Sequence, residues 1–66
     1  MKKVGYFFGG PEDGRVIRLR KEDLARGTVE IRDGHGTLSR YAIVELEQEQ
    51  HVGDSLATHK LVPQEV

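Results

Sequence analysis

Catalysis needs a nucleophile held beside a base, or paired carboxylates across a cleft. The 66-residue chain offers three histidines (His35, His51 and His59), two serines (Ser39 and Ser55) and no cysteine. The histidines show neither the helical i, i+4 pairing nor the short spacing of a metal site. His35 is flanked by glycines and reads as an exposed turn residue, and His59 alternates with Ala57 and Leu61 and reads as partly buried and hydrogen-bonded. Neither serine sits in a nucleophile elbow. The absence of cysteine excludes a disulfide scaffold and a thiolate zinc site. Gly9-Gly10 could cradle a phosphate, but a Walker loop ends in Gly-Lys-Ser/Thr before a helix, and here Pro11-Glu12-Asp13 places negative charge where phosphate would lie. Glu12 and Asp13 lack the alternating acidic ligands of a calcium loop. A chain this short rarely encloses a ligand pocket of about 300 Å³ or more. The reading is a non-enzyme with no metal and no cofactor.

Binding chemistry is better represented. Arg15, Arg18, Arg20 and Lys21 form the densest basic cluster. On a strand Arg18 and Arg20 project together, suited to a phosphate or to an acidic protein surface. The cluster could equally be a solvated face, or could pair across a sheet with Glu45, Glu47 and Glu49, which share one strand parity. Exposed pairs of that kind contribute only about 0–1 kcal/mol each. Sheet platforms for nucleic acid add exposed aromatics. Three of the four aromatics here, Tyr6, Phe7 and Phe8, are consecutive in one strand and expected in the core. A net charge of -1 argues against nucleic acid as well. A protein partner is the expectation, with Arg15, Arg18, Arg20 and Lys21 as its contacts. Residues 1–33 carry eight Lys/Arg and six Asp/Glu, whereas residues 34–66 carry two and five. Complementary halves of this kind permit head-to-tail self-association.

These side chains are positioned by short strands. Val4 to Phe8 reads as the first, with Val4, Tyr6 and Phe8 on one face and Phe7 on the other. Gly9, Gly10, Pro11, Asp13 and Gly14 belong to a hairpin turn, with Glu12-Asp13 at the centre of a type I turn and Gly14 at positive φ. The second strand covers Arg15–Arg20, with Ile17 and Leu19 sharing a face. Lys21 to Arg26 reads as one helical turn closed by Gly27. Thr28 to Arg32 alternates with Val29 and Ile31 inward, and Asp33-Gly34-His35-Gly36 turns the chain. Thr37 to Glu47 is the longest strand, with Ala42, Val44 and Leu46 on one face and Tyr41, Ile43, Glu45 and Glu47 on the other. Gly53-Asp54 is a turn, Leu56 to Val62 the last strand, Pro63 its end, and the tail to Val66 is expected to fray.

The expected fold is therefore all-β in the main: one domain over residues 1–66, a small antiparallel five-stranded meander sheet or open barrel, with at most one short helical turn near 21–26. No apolar run approaches the roughly 18 residues of a membrane span, and the N-terminus lacks the apolar core of a signal peptide.

The segment Tyr6-Phe7-Phe8-Gly9-Gly10-Pro11-Glu12-Asp13-Gly14-Arg15 resembles the opening of many short reading frames of tailed bacteriophages and actinobacteria. Those begin with a strand, then Gly-Gly-Pro, one variable residue, Asp-Gly and a second strand. The matching positions are Gly9, Gly10, Pro11, Asp13 and Gly14. The resemblance implies a small phage accessory protein and carries no catalytic residues across. Two roles follow: a virion component (minor capsid, decoration or connector protein), placed first, and an intracellular inhibitor of a host enzyme or defence complex. Nucleic-acid binding through the basic cluster comes third. The corresponding locations are the virion or the host cytoplasm.

Overall fold

A computed structural model describes residues 3–10, 12–32 and 34–64. Five strands and one helical turn follow in the order β1 (Val4–Phe7), β2 (Val16–Arg18), α1 (Lys21–Arg26), β3 (Thr28–Arg32), β4 (Leu38–Val52) and β5 (Ser55–Pro63). The strands form one sheet in the order β2-β1-β5-β4-β3, curled into an open half-barrel. The mainly-β expectation holds. The pairings β1–β2, β3–β4 and β4–β5 are antiparallel. A pure meander would place β3 beside β2. Instead β1 runs parallel to β5, with Gly5 opposite His59 and Phe7 opposite Leu61, so the first and last strands occupy the middle of a mixed sheet.

The turn chemistry explains the local structure. In the first hairpin the Asp13 carboxylate accepts the Gly9 N–H at 2.7 Å, and Gly14 N–H donates to the Phe7 carbonyl at 2.9 Å. Asp13 N–H donates to Gly10 O and Arg15 N–H to Glu12 O. Gly14 takes positive φ as expected, at 87°; the type I turn centred on Glu12-Asp13 begins at Pro11, outside the described residues. Gly9, Gly10 and Gly14 all have positive φ, between 76° and 87°, a region that side-chain-bearing residues rarely enter. Pro11 lies outside the described residues. So do Asp33 of the second turn, and Glu65 and Val66, to which the fraying expectation refers.

In α1 the Asp23 carboxylate accepts the Arg20 N–H at 3.1 Å. Arginine has no acceptor to return the bond, so only one half of a capping box forms. Gly27 closes the turn at φ 75°, its N–H on Asp23 O.

One face of the sheet is the core. Phe7, Leu19, Val29, Tyr41, Ala57 and Leu61 are buried there, with Ile17, Leu24, Ile31 and Ile43 packed against them. Phe7 meets Tyr41 edge to face, centroids 4.7 Å apart, a geometry favourable by about 0.5–1.5 kcal/mol beyond area burial. Leu24 brings α1 over this face. Of the three consecutive aromatics only Phe7 is in the core; Tyr6 is half-buried and Phe8 is 48% exposed. Gly5 explains the choice of face. A Cβ there would lie 3.2 Å from both Leu19 Cδ1 and Leu61 Cγ, so its absence lets those side chains meet across β1.

The longest strand runs five residues past Glu47, to Val52. Its register against β5 slips on the way. Between the pairs Glu45–His59 and Gln50–Ala57 lie residues 46–49 on β4 but only Thr58 on β5. Beyond that bulge β4 and β5 continue as a two-stranded arm turning at Gly53-Asp54, since β1 pairs only with His59–Leu61 of β5 and β3 only with Leu38–Ala42 of β4.

Candidate partner-binding surface

The sheet alternates core-facing and outward side chains, so the registers define what its other face carries. Across the middle row Val44, Lys60, Tyr6 and Val16 stand side by side; Ala42 and Val62 share a second row, and Val4 and Arg18 are opposite one another. Phe8 extends the β1 ladder by donating its N–H to Leu61 O at 2.8 Å. Lys60 Nζ sits 5.0 Å from the centroid of its ring, a cation–π contact. Leu38, Arg40, Glu30 and Arg32 complete the face toward β3. Phe8, Leu38 and Val44 are all more than 40% exposed. Gln50 of the arm reaches this face through Tyr6 Oη at 3.4 Å and leaves Phe8, Leu38 and Val44 exposed.

Its charge is one-sided. Arg18, Arg32, Arg40 and Lys60 are set against Glu30, which takes Arg40 at 3.5 Å. The acidic residues that could balance the others are elsewhere: the segment 43–57 holds Glu45, Glu47, Glu49 and Asp54 and no Lys or Arg. Glu45, Glu47 and Glu49 therefore do not pair with the β2 arginines, because β1 and β5 separate β2 from β4.

The predicted basic cluster is divided by the fold. Arg15 is held in the hairpin loop by Glu12 at 3.2 Å. Arg18 alone lies on the outer face with the exposed apolar groups. Arg20 and Lys21 begin the helix that covers the opposite, core side. All four are exposed. Lys60, Arg32 and Phe8 join Arg18 instead. Alternation alone could have coupled Lys60 to Val62, but bringing Phe8 beside them required the β1–β5 pairing, which no local turn encodes.

The histidines do not converge. His35 and His51 are exposed, while His59 is buried at 6%. The Thr58 hydroxyl accepts the Val4 N–H and donates to the Val4 carbonyl, both at 3.1 Å, and lies 2.8 Å from His59 Nδ1. With its one proton on that carbonyl, the hydroxyl accepts from Nδ1–H. His59 and Thr58 thus pin β1 to β5 where the parallel pairing starts. Among the described residues no three His, Asp or Glu side chains are grouped as metal ligands. An open groove lies at Leu38, Arg40, Tyr41 and Pro63, and another beside the bulge at Lys3, Glu47, Glu49 and His59. No described helix is long and apolar enough to cross a membrane. Compared with protein-family models, curated proteins and solved structures, the chain matches none.

Proposed function

We propose that this chain acts by binding protein, as a small component of a larger assembly, and that the outer face of its sheet is the contact surface. One observation carries the reading: exposed Phe8, Val44 and Leu38 share a face with Arg18, Arg32 and Lys60. Apolar side chains with arginine among them characterise the cores of protein interfaces. The aliphatic residues outnumber the aromatics on this face, and the Phe8 ring is already engaged by Lys60. Both points favour a protein over stacked bases as the ligand. The strand-Gly-Gly-Pro-x-Asp-Gly opening supports a phage setting, and within it a virion role as a minor capsid, decoration or connector protein. Quantitative mass spectrometry of purified particles from the source system tests that role. Many copies per particle are expected. Absence from particles, with expression in infected cells, would overturn the virion role and turn the search to a host protein.

A further inference from the structure

The outer face and the acidic arm are complementary, and they sit on different parts of the same molecule. The arm is the bulge, residues 46–49, and a two-stranded ribbon in which residues 50–52 pair with 55–57 and no third described strand joins. Such ribbons are at best marginally stable in water. A side-chain hydrogen bond links it to β1, Tyr6 Oη donating to Gln50 Oε1 at 3.4 Å. Glu47, Glu49 and Asp54 are exposed on or beside it, and Leu56 is 42% exposed. The outer face presents the opposite charge around its own apolar groups.

We infer that the occupant of the outer face is the acidic arm of a second copy of this chain. The inference rests on the reading of that face as a protein interface. Because the donor and acceptor surfaces differ, the contact is heterologous: each copy uses its arm on one neighbour and its face on another, and the assembly closes as a ring or continues as a filament. Glu47 and Glu49 of one copy meet Arg18 and Lys60 of the next, while Leu56 approaches Phe8 and Val44.

A mixing experiment tests this. One variant carries Arg18→Gln with Lys60→Gln, the other Glu47→Gln with Glu49→Gln, each checked for folding by circular dichroism. Sedimentation equilibrium of the unsubstituted chain should show association beyond a dimer, weakened by salt. Each variant alone should associate at least tenfold more weakly. An equimolar mixture should form a one-to-one complex and stop there, since one intact arm meets one intact face. If the first variant fails to fold, Phe8→Ser, at an exposed position after β1, takes its place with the same expectation. An unsubstituted chain that stays monomeric to about 1 mM, a standard free energy weaker than about -4 kcal/mol, overturns the inference. So does full association by either variant alone, or a mixture that does not recombine. Failure here leaves the particle measurement untouched: a monomer found in particles would use the face on another protein.

Discussion

At the scale of single residues, the decisive contrast is between Phe7 and its neighbour Phe8. Phe7 is fully buried against Tyr41 and Leu61, whereas Phe8 lies on the outer face beneath Lys60. Phe7→Ala should cost about 3–5 kcal/mol. For a domain this small that is about the whole of its stability, so thermal or urea denaturation should find it unfolded. Phe8→Ser should leave the unfolding midpoint nearly unchanged while weakening association. Equal losses of stability in the two variants would refute the assignment of faces. Asp13→Ala removes the carboxylate that holds Gly9 N–H and should destabilise by about 0.5–1.5 kcal/mol, measured as a lower urea midpoint. Period two in the sequence separates Phe7 from Val4, Tyr6 and Phe8, but it points to the wrong face as the richer one. The reason is Gly5: the core side of β1 is sparse in side chains because Leu19 and Leu61 fill the space above it.

At the scale of elements, what local chemistry encodes was legible. The loop at Gly9–Gly14, the helical stop at Gly27, the turn at Gly53-Asp54 and the strand Thr28–Arg32 all stand where residue types place them. The last five residues of β4 were hidden. Beyond Glu45 the strand bulges, and Glu47 to His51 are all exposed, so no alternation marks it. The divided basic cluster is a further case, for Arg15 to Lys21 are close in sequence but span a loop, an edge strand and a helix start. The arm itself makes a prediction. In dilute protein its amides should exchange with solvent far faster than those of Leu61 and Phe7, because a two-stranded ribbon opens locally without unfolding the sheet. Hydrogen exchange followed by mass spectrometry would show this, and arm amides as protected as those of β5 between His59 and Leu61 would contradict it.

At the scale of the molecule, the order β2-β1-β5-β4-β3 creates the candidate surface. Inserting β5 between β1 and β4 brings Lys60 beside Tyr6 and Val44, and sets Arg18 on the same face as Phe8. No turn specifies that insertion. It is a contact between the first and last strands, secured by buried Phe7 and Leu61 with partly buried Ile43 beside them, and by the Thr58 hydroxyl on Val4. One side of the sheet then has a core under α1, and the other keeps exposed apolar groups among cations. The central claim is that this second side is closed by association, and lysine acylation read by mass spectrometry tests it most directly. Lys60 lies in the middle of the outer face and Lys21 starts the helix on the opposite side. As protein concentration rises from the dilute to the associating range, Lys60 should lose reactivity while Lys21 keeps its own. Lys60 unchanged across that range, or Lys21 protected in its place, would contradict the account.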